Sequence, residues 1–215
     1  MREHVILQTL KQRIIAIVRG VSPDSIAPLM RALLDGGIGM AEVTFNLSKP
    51  ESFGETAKAI SIMREIDGLI PGAGTVVTPE LVEIAANAGA RFIVSPNVDA
   101  AVIAKTRELG LVSMPGAATP SEAVAAHNAG ADFIKLFPAG NLGPGYLEAL
   151  CAPLSHLRFL AVGGVDENNA AEFMRAGAVG LGLAGELVNR DWIATGQFDK
   201  ITRLADEICR AARAV

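Results

Sequence analysis

One lysine stands in a short apolar run that is typical of a buried strand. Lys135 lies within Phe133-Ile134-Lys135-Leu136-Phe137-Pro138, whereas the other five lysines fall in polar or helical surroundings. Because side chains alternate along a strand, Lys135 points to the same side as Phe133 and Phe137. Burial lowers the pKa of a lysine, and a neutral amine can attack a ketone to form a Schiff base. The alternative is a lysine at a strand end whose amine reaches solvent or pairs with a carboxylate.

A glutamate interrupts a second apolar run. Glu42 lies in the middle of that run, and alternation puts it on the same face as Thr44 and Asn46. If this face is inward, the carboxyl lies near the lysine amine in a partly dry site and can relay protons. The alternative is a structural ion pair between Glu42 and Lys135 or Arg19.

Two further polar residues follow apolar runs and suit the binding of a carboxylate. Arg19 ends the first run, and a guanidinium can hold a carboxylate by two hydrogen bonds. Thr75 follows Gly72 and Gly74, which let a ligand approach the backbone closely, and its hydroxyl can add a hydrogen bond. The alternatives are a surface or capping arginine and a turn that only needs glycine.

Glycine-rich turns follow the last two apolar runs. Gly163 and Gly164 lie in the first of these turns, and Gly182 and Gly185 lie in or before the second. Backbone N–H groups at such turns, and at the helix N-termini that follow, form an anion site, so we predict that they bind phosphate. Glu186 opposes the binding of an anion there.

Composition argues against several other classes of function. The chain has 19 basic and 23 acidic residues, a net charge of −4 and no basic stripe for nucleic acid. Cys151 and Cys209 are too few for a disulfide framework, and His4, His127 and His156 lack metal-binding spacing. The N-terminus has no signal-peptide pattern, and no apolar stretch reaches membrane-spanning length. We therefore predict a soluble, cytoplasmic protein that uses no metal, cofactor, membrane or nucleic acid.

Short, continuously apolar runs alternate with helical stretches along the whole chain, as in βα units around a parallel sheet. Eight runs are predicted strands: 14–19, 40–45, 69–76, 92–96, 112–115, 133–138, 159–163 and 179–184. The helical stretches include 24–34, 50–65, 79–87, 100–109, 120–128, 166–175 and 199–213. Ser22, Thr78 and Thr119 each precede a proline and are predicted helix N-caps.

Eight βα units favour an α/β fold with a closed (β/α)8 barrel, of the TIM-barrel type, over an open doubly wound sheet. The first βα turn also lacks the Gly-x-Gly-x-x-Gly that is typical of dinucleotide-binding sheets. We predict one domain over residues 1–215, with an extra N-terminal helix over 2–11. In such barrels the chemistry lies at the C-terminal ends of the strands. We therefore expect Lys135, Glu42, Arg19 and Thr75 to converge.

Taken together, these motifs resemble the class I aldolases of 2-keto-3-deoxy-6-phosphogluconate (KDPG) and 4-hydroxy-2-oxoglutarate (KHG). The match runs in order along nearly the whole chain, through Glu42-Val43-Thr44, Gly72-Ala73-Gly74-Thr75-Val76, Ser95-Pro96-Asn97, Pro115-Gly116, Phe133-Ile134-Lys135-Leu136-Phe137-Pro138-Ala139 and Gly163-Gly164. The resemblance implies a metal-free homotrimer of (β/α)8 barrels whose lysine forms an imine with pyruvate. It implies that Lys135 is the Schiff-base lysine, Glu42 the acid–base residue and Thr75 a carboxylate ligand. It also implies that Pro96 and Phe137 form part of the pocket wall.

Some positions resemble the branch of the family that acts on the phosphogalactonate substrate. Asn46 stands where many gluconate-type members carry an arginine for the substrate carboxylate, and Arg19 ends the first strand as in the phosphogalactonate branch. We therefore assign the carboxylate to Arg19 and place Thr44 and Asn46 on the pocket wall. Ala161-Val162 also resembles that branch, and Gly185 replaces a serine that commonly binds phosphate.

These features predict a class I aldolase that cleaves a 2-keto-3-deoxy-6-phospho sugar acid, of gluconate or galactonate type, to pyruvate and glyceraldehyde 3-phosphate. The resemblance implies cleavage of KHG to pyruvate and glyoxylate as a further activity. The alternatives are a phosphosugar isomerase or epimerase without a covalent intermediate, a metal-dependent aldolase, and a barrel that binds a sugar phosphate without turnover. The sequence leaves the stereochemistry of the sugar acid open.

Overall fold

The computed structural model describes residues 1–213, except for the side chain of Glu186. The predicted domain extends to residue 215, so its last two residues lie outside the described range. The predicted repulsion between Glu186 and a bound anion also depends on a side chain outside the described residues. Within the described range, strands and helices alternate along the chain as predicted.

Parallel strands form one sheet that curls into a barrel. They are β1 (Ile14–Val18), β2 (Met40–Thr44), β3 (Ile70–Gly74), β4 (Phe92–Val94), β5 (Val112–Met114), β6 (Gly116–Ala117), β7 (Ile134–Leu136), β8 (Phe159–Val162) and β9 (Gly180–Leu183). Neighbouring strands follow the order β5-β4-β3-β2-β1-β9-β8-β7-β6, so the two edges belong to strands that are adjacent in the chain. The sheet is therefore nearly closed, and the predicted (β/α)8 barrel is confirmed.

The fifth predicted strand, 112–115, forms β5 and ends before Pro115, and a further short strand, β6, follows the proline. The part before the proline, β5, pairs with β4, whereas β6 pairs with β7. Proline has no N–H to donate to a neighbouring strand, but the carbonyl of Pro115 accepts a hydrogen bond from Lys135 N–H at 2.9 Å. The chain passes there from one edge of the sheet to the other, and β6 lies outside the predicted range.

Helices surround the barrel, and most of them match predicted stretches. They are α1 (Arg2–Gln12), α2 (Pro23–Asp35), α3 (Phe53–Arg64), α4 (Pro79–Ala88), α5 (Ala100–Glu108), α6 (Pro120–Asn128), α7 (Ala139–Leu142), α8 (Pro144–Cys151), α9 (Ala170–Arg175), α10 (Arg190–Ala194) and α11 (Phe198–Arg213). Two short 3-10 helices lie at Pro50–Ser52 and Gly185–Val188. No helix in the described range is long and apolar enough to cross a membrane.

The helix predicted over 166–175 is shorter than expected and begins at Ala170. Asp166 Oδ1 accepts hydrogen bonds from the N–H groups of Asn168 and Asn169, at 2.9 and 3.2 Å. These bonds hold a turn where we predicted the first turn of a helix, because a short acidic side chain can compete with helical hydrogen bonding. The short helices α7, α8 and α10 fall in segments for which we made no prediction.

The predicted N-caps differ in how they work. Thr78 Oγ1 accepts a hydrogen bond from Leu81 N–H at 3.4 Å, and Thr119 forms a capping box with Glu122. Ser22 is the N-cap of α2 as predicted, but its side chain makes no capping hydrogen bond. The proline that follows Ser22 is therefore the effective start signal of α2.

The strand residues belong to two separate hydrophobic cores, because side chains alternate along each strand. The core between barrel and helices includes Ala41 and Val43 from β2, and Ile134 and Leu136 from β7. The other core fills the barrel: Val5, Ile15, Ile17, Met40, Phe92, Val94, Val112, Met114, Phe133, Leu160 and Val162. Both faces of the strands are thus covered, as their continuously apolar sequences predict.

The N-terminal helix closes the bottom of the barrel. Val5 of α1 belongs to the interior core. Arg2 forms an ion pair with Asp132, which lies just before β7. The second carboxylate oxygen of Asp132 accepts a hydrogen bond from Ser113 N–H at 2.9 Å. Asp132 therefore joins the extra helix to two strands at the end of the barrel opposite the predicted site.

Asp132→Ala is expected to lower the free energy of unfolding by about 2 kcal/mol, because it leaves Ser113 N–H and the Arg2 guanidinium without their partner. The Asp132 side chain is 5% exposed and that of Arg2 is 32% exposed, so the cost is smaller than for a fully buried pair. Urea unfolding followed by circular dichroism measures the change. Asp132→Asn keeps an acceptor and should lose less; parental stability in both variants would contradict this role.

Candidate active site

The C-terminal ends of the strands surround a cleft of about 800 Å³. Its lining includes Lys135 from β7, Glu42 from β2, Arg19 after β1 and Thr75 after β3. The four residues that we expected to converge therefore line one opening. The other predicted site residues in the lining are Phe137, Gly163, Gly164, Gly182 and Gly185.

Lys135 occupies the centre of β7, with its side chain between the barrel interior and the cleft. Phe133 belongs to the interior core, whereas Ile134 and Leu136 belong to the outer one. Nζ lies 4.7 Å from the centroid of the Phe137 ring, and 7% of the lysine is exposed. The alternation along this strand is as predicted, and it brings the amine into apolar surroundings.

Burial lowers the pKa of Lys135 from its ordinary value of 10.5. The charge of Glu42 opposes this decrease without cancelling it, and the charge of Arg19 adds to it. A larger share of the Lys135 amine is therefore neutral near pH 7 than in an exposed lysine. The neutral amine is the form that attacks a carbonyl carbon.

Glu42 is the second buried ionisable group of the site, with only 2% exposed. Burial raises its pKa above the ordinary value of 4.5, and the charges of Lys135 and Arg19 only reduce this increase. No salt bridge joins Glu42 to Lys135 among the described residues. Glu42 Oε2 makes no hydrogen bond within the described part of the chain. Burial therefore favours the neutral form of both groups. The geometry does not support the alternative of a structural ion pair.

Gly74 provides the space that the Glu42 carboxyl occupies. A Cβ atom at Gly74 would lie 2.5 Å from Glu42 Oε1 and 3.0 Å from Thr44 Cγ2. Gly72 makes room in the same way for the ring of Phe92, which would be 2.3 Å from a Cβ. We predicted that these glycines admit a ligand. Their closest neighbours are in fact side chains of the adjacent strands, and one of these side chains is the acid–base candidate.

Arg19 and Thr75 directly follow β1 and β3, the two strands beside that of Glu42. Arg19 is exposed, and its charge lowers the pKa of both Lys135 and Glu42. Thr75 has a φ of 59°, a left-handed conformation that is strained for a β-branched residue. Such strain is concentrated at functional sites. Two groups that can bind a carboxylate therefore lie close to the buried pair.

Three of the four residues that we assigned to the pocket wall do not line the cleft within the described part of the chain. Asn46 is exposed, and its Oδ1 accepts a hydrogen bond from Ser48 N–H at 3.1 Å. Thr44 is buried, with its hydroxyl 3.5 Å from Val18 O, and Pro96 is exposed. Strand alternation gives the face that a residue shares with Glu42, but not its distance from the opening.

The predicted phosphate-binding glycines lie at the ends of β8 and β9. Gly163, Gly164 and Gly185 have φ values of 86°, 74° and 55°, which residues with a side chain rarely adopt. Gly182 has a different reason to be glycine, since a Cβ there would meet Val162 at 2.9 Å inside the sheet. Three glycines thus shape the loops at the cleft, and Gly182 allows close packing of β8 against β9.

Arg190 also lines the cleft, and our sequence analysis did not identify it. It is the first residue of α10, whose N-cap is Asn189. Asn189 Oδ1 accepts hydrogen bonds from the N–H groups of Asp191 and Trp192, at 2.9 and 3.0 Å. An asparagine before a helix start, just after the last strand, is the signal that could have placed Arg190 at the mouth of the barrel.

The histidines and cysteines lie apart from this cleft. His4, His127 and His156 are exposed, and the rings of the last two are 5.2 Å apart, edge to face. Among the side chains that the structure describes, no three metal-ligating groups come together. Cys151 and Cys209 are free thiols.

Comparison with known proteins bears on what the cleft does. A family model described as "Aldolase: KDPG and KHG aldolase" matches residues 5–204. A probable 2-dehydro-3-deoxy-6-phosphogalactonate aldolase of Rhizobium meliloti (strain 1021) is 39% identical over 186 residues, which are 86% of either chain.

Solved structures agree with this match. One described as "Native KDPGal structure" is 35% identical, has a TM-score of 0.82 and is matched over 94% of both chains. A KDPG aldolase from Legionella pneumophila, with pyruvate captured as a covalent carbinolamine, is 26% identical with a TM-score of 0.82, over 92% of this chain and 94% of that one. Because the sequence match covers nearly the whole chain and the barrel is shared, the chain belongs to the KDPG and KHG aldolase family of carbon–carbon lyases.

Proposed function

We propose that the chain is a class I aldolase that cleaves a 2-keto-3-deoxy-6-phospho sugar acid, of gluconate or galactonate type, to pyruvate and glyceraldehyde 3-phosphate. The observation that carries the proposal is the pair formed by the buried Lys135 amine and the buried Glu42 carboxyl. Burial lowers the pKa of the amine and raises the pKa of the carboxyl, which favours the neutral form of each. The Legionella pneumophila relative, which holds pyruvate as a covalent carbinolamine, supports the same route in this chain.

The reaction begins when neutral Lys135 attacks the keto carbon of the substrate. The new carbon–nitrogen bond gives a carbinolamine, and Glu42 protonates its oxygen, which leaves as water. A protonated imine remains, and Glu42 is now ionised. The raised pKa of Glu42 suits this step, because more of the carboxyl carries a proton near pH 7 than in an exposed glutamate.

The protonated imine then acts as an electron sink for cleavage. Glu42, directly or through a water molecule, removes the proton of the hydroxyl on the carbon beyond the bond that breaks. The electron pair of that carbon–carbon bond moves toward the imine nitrogen, so glyceraldehyde 3-phosphate leaves and an enamine remains. Glu42 returns the proton to the enamine carbon. Hydrolysis of the resulting imine frees pyruvate and restores Lys135.

Arg19 and Thr75 hold the carboxylate in this scheme. The carboxylate is attached to the keto carbon, so it must lie beside Lys135, and Arg19 is close enough for its charge to act on that amine. Phe137, whose ring lies against Nζ, forms the wall of the pocket beside the imine. Thr44, Asn46 and Pro96 lie outside the lining of the cleft and have no role in this scheme, and the assigned phosphate ligands are Gly163, Gly164, Gly182 and Gly185.

The choice between the two sugar acids remains part of the proposal. The phosphogalactonate relative at 39% identity and the KDPGal structure at 35% identity favour the galactonate type. KHG, named in the family description, is a further candidate substrate, with glyoxylate as its second product. Turnover of both phosphorylated acids and of KHG, measured side by side, ranks the three.

We also propose that the enzyme is a cytoplasmic homotrimer that acts on a small-molecule substrate without a cofactor. The family resemblance of the motifs supports the trimer. The free thiols Cys151 and Cys209 and the phosphorylated substrate suit a reducing cell interior. Equilibrium sedimentation gives the number of subunits directly.

Borohydride added together with pyruvate is expected to attach pyruvate irreversibly to Lys135 and to abolish activity, because reduction turns the imine into a stable amine. Peptide mass analysis locates the adduct. Lys105 is an internal control that should stay unmodified, since contacts with Glu108 and Glu83 raise its pKa. Full aldolase activity in Lys135→Ala would exclude the covalent route and leave the metal-dependent aldolase as the alternative.

Gly74→Ala is expected to lower kcat about 10- to 100-fold with little change in KM, because the new methyl group displaces the Glu42 carboxyl. The pH dependence of kcat should also change, since the displaced carboxyl has different surroundings. Steady-state kinetics over a range of pH measures both effects.

Gly54→Ala is the matched control for this substitution, because a Cβ atom at Gly54 meets nothing within 4 Å. A double variant, Gly74→Ala with Glu42→Asp, shortens the acidic side chain and should recover part of the lost kcat. Parental kcat and an unchanged pH profile in a folded Gly74→Ala enzyme would refute the role of Gly74 in positioning Glu42.

A further inference from the structure

A second guanidinium lines the cleft in addition to that of Arg19. Arg190 begins the short helix that follows the last strand, and it lines the same opening as Gly163, Gly164 and Gly185. The imine chemistry does not use it, and neither does the assigned carboxylate site. It is therefore a positive charge in the cleft that has no role in the mechanism above.

Arg190 contacts the loop after β1. Its Nη2 donates a hydrogen bond to Arg19 O at 3.2 Å. The guanidinium also covers Gly20, where a Cβ atom would lie 2.9 Å from Nη2 and 3.4 Å from Cζ. No salt bridge joins Arg190 to an acidic side chain within the described part of the chain. Arg190 is exposed, its hydrogen bond is to the backbone of that loop, and its charge can bind a ligand.

Arg190 and Arg19 come from different parts of the barrel, since Arg190 follows the last strand and Arg19 follows the first. The charge of Arg19 contributes to the pKa shifts of both Lys135 and Glu42, and the charge of Arg190 is not among the causes of those shifts. The two arginines thus suit the two anionic ends of one substrate. The carboxylate is adjacent to the carbon that forms the imine, and the phosphate lies at the opposite end of the sugar acid.

The acidic residues of the cleft show why a cation is needed there. Asp166, Glu167 and Asp191 line the same opening. Asp166 is engaged by the N–H groups of its own turn, but three carboxylates still oppose the approach of a dianion. The loop glycine Gly185 contributes no hydroxyl. Backbone N–H groups alone would have to overcome this repulsion, whereas a guanidinium both offsets it and donates two hydrogen bonds to phosphate.

We propose that Arg190 binds the phosphate of the substrate and thereby sets the preference for phosphorylated over unphosphorylated aldehydes. This inference rests on the proposed function, because it concerns the specificity of the same cleft. The phosphate would then be bound by the Arg190 side chain, which contacts the loop after β1, as well as by the glycine turns after β8 and β9.

The test compares three substrates in the synthesis direction, in the parent enzyme and in Arg190→Gln. We expect KM for glyceraldehyde 3-phosphate to rise about 10- to 100-fold, as for the loss of a hydrogen bond to a charged group. KM for pyruvate and kcat/KM with unphosphorylated glyceraldehyde should change by less than about twofold. Arg190→Lys keeps the charge without the planar fork and should give an intermediate KM for the phosphorylated aldehyde.

Two control variants distinguish the role of Arg190 from the roles of other arginines. Arg19→Ala should raise KM for pyruvate and leave KM for glyceraldehyde 3-phosphate less affected, which is the reverse pattern. Arg31→Gln alters an exposed arginine of α2 outside the cleft and should match the parent. An unchanged KM for glyceraldehyde 3-phosphate in Arg190→Gln, or an equal loss with both aldehydes, would overturn the proposal.

Failure of the proposed function gives a different result from failure of this inference. If the parent enzyme forms no borohydride adduct with pyruvate and turns over no aldehyde, the aldolase proposal fails. Calorimetric binding of inorganic phosphate still tests Arg190 in that case. Weaker binding to Arg190→Gln than to the parent supports the phosphate site, and equal binding to both, with circular dichroism showing that the variant is folded, rejects it.

Discussion

Exclusion of water from one lysine and one glutamate is the constraint on which this site depends. Lys135 and Glu42 border the packed interior of the barrel, where the space left among the apolar side chains below them is about 10 Å³, at most enough for one water molecule. Removal of a charge from water costs more than the attraction between the two groups returns. The pKa of the amine is therefore lowered and that of the carboxyl is raised, which supplies a nucleophile and a proton donor at the same pH.

The barrel produces this arrangement through its small residues as much as through its reactive ones. Gly74 leaves the space in which the Glu42 carboxyl lies, Gly72 leaves space for Phe92, and Gly182 lets Val162 pack closely. A larger residue at any of these positions would move the neighbour that it touches. The site is thus a consequence of packing across adjacent strands, and the positions of catalytic groups and of core residues are determined together.

Much of this could be predicted from the sequence because strand alternation is a local rule. It correctly gave the inward side of Lys135, between Phe133 and Phe137, and the repeat of βα units gave the barrel. The segment at Asp166 forms a turn where we predicted a helix, because an aspartate near a helix start can accept hydrogen bonds in either structure. Arg190 was missed for a different reason: it contacts Arg19 O, which is far away in sequence.

Titration of the Lys135 amine tests the importance of desolvation most directly. With 13C at the ε-carbon of lysine, NMR follows each amine as pH changes, and Lys135→Arg identifies the resonance of interest. The Lys135 signal should titrate below the ordinary value of 10.5, and Glu42→Gln should lower its midpoint further, since Glu42 raises that pKa. A Lys135 midpoint at or above 10.5, together with the midpoints of exposed lysines, would contradict the claim that burial makes this amine a nucleophile.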